Sequence, residues 1–225
     1  MPWVLMNRLL KSLLNLFQEE DIQSTELTPQ QLYKQVVDSV VYIETLTGQG
    51  TVKYGSGVII SKEGTILTAA HVVKDASLIN IEMVDGKKYT AVKSTPFDEG
   101  RDLGVLKIQQ EALFEPVMMR DLKTNPLFIG AKLFAIGSPF RQKFSYTEGI
   151  VSQLRDEVVN PGNYVVKNAI QTDAALNPGN SGGGGFDRKG RLVGIASLIL
   201  SPKGTSEGVG YLIGTTEITK FLGGG

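Results

Sequence analysis

Residues Ala174–Phe186 read Ala-Ala-Leu-Asn-Pro-Gly-Asn-Ser-Gly-Gly-Gly-Gly-Phe, a turn sequence that runs into Ser181 and four consecutive glycines. Glycine has no Cβ, so the backbone around this serine can take dihedrals closed to other residues or press close to a ligand. A serine nucleophile needs that setting, with the peptide N–H groups of Ser181 and Gly179 converging on a developing oxyanion. A flexible glycine-rich loop with a bystander serine fits this stretch equally well, so its surroundings have to decide.

On either side lie short apolar runs, 169–172 before and 192–198 after, and the same texture extends back to Val40. Runs over 40–43, 57–60, 65–68, 78–83, 105–108, 132–136, 150–154 and 210–213 read as strands. Many are separated by glycine turns such as Lys62-Glu63-Gly64, Asp85-Gly86, Pro161-Gly162 and Arg188-Lys189-Gly190. Short strands with frequent turns predict an all-β sandwich or barrel, not a parallel α/β sheet. Before the strands, Thr28-Pro29 signals an N-cap and first turn, predicting a short helix over Gln30–Asp38. Residues 19–26 read as a polar linker. In the first twenty residues, Leu5, Leu9, Leu13 and Leu16 form the apolar stripe of an amphipathic helix.

That N-terminal stretch has no basic region before an unbroken apolar run, which makes it a poor secretory signal. Arg8 and Lys11 interrupt it too much for a membrane span. It would instead dock on its own domain, pack in an oligomer, or make peripheral membrane contact through residues 1–20. The expected location is therefore intracellular or membrane-associated. The domain reading is residues 1–28 as helix and linker, followed by one domain over 29–225.

Composition narrows the chemistry. Lysine plus arginine and aspartate plus glutamate both number 23 in the 225 residues, so no basic footprint suggests nucleic acid. With no cysteine there is no thiol nucleophile and no cysteine metal site, and with one histidine there is no multi-histidine site. No metal or cofactor is expected. Any imidazole chemistry must use His71, which follows the apolar run Thr65–Ala70 and suits proton transfer near neutral pH. Asp102 opens another apolar strand, Leu103–Ile108. Such an aspartate can orient an imidazole and stabilise its cation. Asp98 competes for the role but falls in the loop-like Phe97-Asp98-Glu99-Gly100.

The order His71, Asp102, Ser181 is that of chymotrypsin-like enzymes. Seven segments then carry a closer resemblance: GSGVII (55–60), TAAHVV (68–73), RDLGVLKI (101–108), AIGSPF (135–140), TEGIVS (147–152), IQTDAALNPGNSGG (170–183) and LVGIAS (192–197). Together they resemble the protease domain of the HtrA (Deg) family of trypsin-like serine proteases, over about residues 37–218.

The resemblance implies two six-stranded antiparallel β-barrels, one over about 37–125 and the other over about 126–220, with the N-terminal helical extension in front. It implies a serine endopeptidase in which His71, Asp102 and Ser181 are catalytic, acting on unfolded or partner polypeptides. The amides of Gly179, Asn180 and Ser181 would line the oxyanion hole. The substrate pocket would be bordered by Ala175 and Leu176 and by the strand Ile195, Ala196, Ser197 and Leu198. Nothing acidic stands at those positions, so small or medium apolar side chains are the expected preference. Relatives are commonly trimers and usually exported, which makes a homotrimer an expectation and export an alternative location. The alternative function is a catalytically silent protease-fold module that binds without cleaving.

Three departures from the family pattern stand out. Too few residues follow Ser181 for the C-terminal PDZ module of most relatives, so a bare protease domain is expected. Gly184 and Gly185 replace a proline and an aliphatic residue, which would loosen the strand behind the nucleophile. Arg141-Gln142-Lys143 replaces a glycine-containing turn in the segment 140–146, which resembles the family's activation loop.

Overall fold

A computed structural model describes residues 26–159, 165–199 and 208–223; the amphipathic stretch over 1–20 lies outside the described residues. Helix α1 (Pro29–Val36) starts where the sequence predicts. The Thr28 side chain accepts from the Gln31 amide at 3.3 Å, and the Gln31 side chain accepts from the Thr28 amide at 2.9 Å. These reciprocal bonds satisfy two donors that would otherwise be orphaned at a helix start. A 3₁₀ turn, Val37–Ser39, then leads into the first strand.

Strands β1 (Val40–Thr47), β2 (Val52–Ile59), β3 (Thr65–Ala69), β4 (Ala76–Glu82), β5 (Lys88–Asp98) and β6 (Leu103–Ile108) close a barrel in the order β1-β2-β3-β6-β5-β4. A one-turn helix, α2 (Ala70–Val73), follows β3. The second barrel closes as β10-β11-β12-β9-β8-β7. Its strands are β7 (Lys132–Gly137), β8 (Ser145–Val159), β9 (Val165–Thr172), β10 (Gly184–Phe186), β11 (Leu192–Ile199) and β12 (Gly210–Gly214). Helix α3 (Thr215–Leu222) follows. Two closed six-stranded antiparallel barrels agree with the expected fold.

The apolar runs are continuous because they are buried on both faces. Neighbouring residues on a strand point to opposite sides, and here each side finds its own core. Ile43, Ile66 and Leu106 fill the first barrel, whereas Val40, Leu67 and Val105 belong to a cluster shared with Phe134, Ile195 and Ile213 of the second barrel. Val193 and Leu212 fill the second barrel. Leu32 and Val36 of α1 and Ile218 and Phe221 of α3 join the shared cluster. That cluster holds the barrels together, and the site below lies where they meet.

Strand β10 is a departure from expectation. Gly184 pairs with Ile136 and Ile195, and Gly185 with Ala135 and Gly194, so both glycines are bonded from two sides. A Cβ on Gly184 would run into the Phe186 ring, and one on Gly185 into Leu212. The missing side chains are replaced by neighbours, so the strand is not loose.

Candidate active site

The register of β3 against β6 brings His71 to Asp102. Ala69 pairs with Leu103, so the residues that follow one strand and precede the other are adjacent. The Ala70 amide donates to the Asp102 carbonyl at 3.2 Å. Asp102 has φ 56°, a left-handed value that side-chain-bearing residues seldom adopt. Such an outlier points to a constraint of function when the surroundings hold it in place.

The Asp102 carboxylate is 1% exposed. The His71 amide donates to Oδ1 at 2.9 Å, and His71 Nδ1 lies 2.9 Å from both oxygens. The Ser197 hydroxyl donates to Oδ2 at 2.5 Å. A buried carboxylate is costly unless its oxygens are satisfied, and these three donors do that while fixing the imidazole's orientation. Asp98, the rival acid, instead accepts from the Arg101 amide at 3.0 Å in its own turn.

The nucleophile turn of barrel two is gripped by β2 of barrel one. The Ser56 amide donates to the Ser181 carbonyl at 2.8 Å, and the Ser56 hydroxyl donates to the Gly179 carbonyl at 2.8 Å. Gly55 leaves room there, since a Cβ on it would lie 2.5 Å from Val72, the residue after His71, and 3.2 Å from the Ser181 carbonyl. Ser181 and the His71 turn therefore flank the same point of β2. On the far side, the Gly182 amide donates to the Ala196 carbonyl at 2.6 Å. Gly182 has φ 84°, and a Cβ on it would collide with the Ser56 carbonyl and the Thr68 hydroxyl.

Within the turn the Asn180 amide donates to the Asn177 carbonyl at 2.9 Å. This takes it out of the three amides expected for the oxyanion hole. Among the described residues the Gly179 and Ser181 amides donate to no protein acceptor, which leaves the pair that the glycine pattern suggests. Gly179 has φ 104°, and the Ser138 carbonyl occupies the space a Cβ would need.

The expected pocket residues divide. Ala175 is exposed, and its carbonyl accepts from Thr147 Oγ1 at 3.2 Å and Asn180 Nδ2 at 3.4 Å. Leu176, Ile195 and Ala196 are buried at 2%, 0% and 4% exposure and belong to the hydrophobic clusters behind the site. Ser197 serves Asp102. Leu198 is paired through its backbone with Tyr211 of β12. Among the described residues no three histidine, aspartate or glutamate side chains come together as a metal site.

Two contributions were not foreseen from the sequence: the clamp by Ser56, and the Ser197 hydroxyl on Asp102. Ser56 carried one faint signal, a hydroxyl between two glycines just before the apolar run Val58–Ile60.

Comparison with known proteins agrees with the two-barrel fold. The trypsin-like peptidase domain family matches residues 55–195. Protease Do-like 1, chloroplastic, of Arabidopsis thaliana is 36% identical over 207 residues, 85% of this chain and 46% of the relative. Periplasmic serine endoprotease DegP of Escherichia coli (strain K12) is 40% identical over 160 residues, 71% of this chain and 33% of the relative. The chain thus spans less than half the length of these two relatives. The solved structure of the HtrA-type protease AlgW with tripeptide superposes with a TM-score of 0.77 at 33% identity, covering 88% of this chain and 63% of that one.

Proposed function

The chain belongs to the HtrA family of trypsin-like peptidases, and from that premise we propose that it is a serine endopeptidase using Ser181, His71 and Asp102. Ser181 Oγ attacks a peptide carbonyl while His71 takes the hydroxyl proton, giving a tetrahedral oxyanion held by the Gly179 and Ser181 amides. The C–N bond breaks as the imidazolium returns that proton to the amine, leaving an ester on Ser181. Water, deprotonated by His71, then hydrolyses the ester and regenerates the hydroxyl. Asp102 keeps the imidazole in one tautomer and stabilises its cation.

The observation that carries this reading is the buried Asp102 carboxylate bonded to His71 Nδ1 at 2.9 Å beside the clamped serine turn. As the endoprotease relatives suggest by likeness, the substrates are polypeptides, taken here as extended segments of unfolded or partner proteins. With no acid among Ala175, Leu176 and residues 195–198, small or medium apolar side chains precede the cut.

A fluorophosphonate probe should label the wild type at Ser181, and Ser181→Ala should lower casein hydrolysis by on the order of 10⁴-fold. Labelling elsewhere, or equal hydrolysis by the variant, rejects the assignment. A wild type that binds casein without cutting it would make the chain a silent binding module. Dominant cleavage after lysine or arginine would reject the pocket reading alone.

A further inference from the structure

The segment 138–146 touches the oxyanion turn directly. The Phe140 amide donates to the Pro178 carbonyl at 2.8 Å, and the Ser138 carbonyl abuts Gly179. Yet its backbone is strained: Phe140, Arg141 and Phe144 have φ of 50°, 66° and 57°, all in the left-handed range. Three such residues without a glycine need external contacts to stay in place.

Those contacts lead to the other barrel. The Arg141 guanidinium lies over the Tyr54 ring, 4.4 Å from its centre. Lys143 Nζ lies 4.8 Å from the centre of the Tyr42 ring and 2.7 Å from Glu82 Oε1. Tyr42 and Tyr54 stack on each other at 6.0 Å, and Tyr42 pairs with Glu82 across β1 and β4. The receiving surface is thus one continuous patch of barrel one. Tyr54 is two residues from Ser56, so the same strand grips both the serine turn and the segment that supports it.

We infer that Arg141 and Lys143 are positioning residues, two cations that clasp the 138–146 segment to the Tyr42–Tyr54–Glu82 patch and so hold Gly179 where it meets the oxyanion. A cation over an aromatic face is attracted by the ring quadrupole, and the ion pair with Glu82 gives the second contact its direction. The inference rests on the assignment of Ser181 as nucleophile.

The test compares three forms of the full chain: wild type, Arg141→Gln/Lys143→Gln, and Arg141→Lys/Lys143→Arg. Each is measured for kcat and KM on a peptide substrate, for fluorophosphonate labelling rate and for unfolding temperature. The glutamine pair should lower kcat and labelling roughly tenfold together, because a small misplacement of catalytic groups is costly. Its KM should stay within about twofold and its unfolding temperature within a few degrees, as surface changes allow. The variant that keeps both cations should regain most of the rate. Wild-type kcat in the glutamine pair, or a loss of rate matched by a loss of folding and shared by the cation-keeping form, overturns the clasp. A wild type that neither labels nor hydrolyses removes the serine peptidase reading itself, and the clasp with it.

Discussion

Replacing Gly182 with alanine tests whether the two halves of the site depend on a backbone contact between barrels. Gly182 has φ 84°, which costs an alanine about 1–2 kcal/mol. The added methyl would also overlap the Ser56 carbonyl and the Thr68 hydroxyl and lie 3.0 Å from the Ala69 amide nitrogen. The Ser56 carbonyl cannot swing aside freely, because it accepts from Thr68 Oγ1 at 2.7 Å. The turn must therefore withdraw from β2, weakening the Ser56–Ser181 bond of 2.8 Å and the Gly182–Ala196 bond of 2.6 Å. Each such bond is worth about 1 kcal/mol net, so the total cost is about 3–4 kcal/mol. Gly50→Ala is the control, since Gly50 has φ 81° with nothing within 4 Å of its added Cβ. It should lose only the dihedral cost. For a chain of this size the remaining 2 kcal/mol or so lowers the melting temperature by about 4–8 °C more in Gly182→Ala than in the control. A turn displaced by about 1 Å should also lower kcat/KM by roughly 10²-fold, while Gly50→Ala keeps wild-type activity. Calorimetry and peptide hydrolysis on both variants decide the matter. Equal stability and equal activity would refute the claim that β2 holds the nucleophile in place.

Ser197→Ala removes a donor from a buried carboxylate, and hydrogen bonds to charged groups are worth about 1.5–3 kcal/mol. Its kcat/KM should fall by at least about tenfold, and a wild-type value would mean that His71 alone orients Asp102. Tyr146 has a buried hydroxyl with no protein partner among the described residues, and burial raises its pKa from 10.0 to about 12. Because the folded pKa is the higher one, the neutral form is favoured. This contribution is present below pH 10 and is lost as pH rises through about 12. Tyr146→Phe should match or exceed the wild type in melting temperature near neutral pH, and its advantage should grow between pH 10 and 12. A melting temperature several degrees lower near neutral pH would show that the hydroxyl has a partner.

Local pattern was legible wherever the physics is local. Alternation along a strand follows from side chains pointing to opposite faces, so β-rich runs and their turns could be read from apolar residues and glycines. The Thr28 cap was legible because its partner Gln31 is three residues away. Helix α3 and the firm pairing of the short strand β10 were not foreseen. Gly184 and Gly185 have low intrinsic strand preference, and they form a strand because β7 and β11 supply partners on both sides.

Within the site, the sequence by itself determined which groups are available: one imidazole, an aspartate at a strand's start, and a serine among glycines. Only the tertiary structure decided how they are held. Ser56 grips a turn 123 residues away, Ser197 reaches Asp102 across 95 residues, and Arg141 and Lys143 cross from one barrel to the other. Contacts of that span depend on strand register and barrel closure, which no local run of residues encodes. Backbone donors such as the Asn180 amide are the same in every residue but proline, so the fold determines which of them bond within the turn and which stay open.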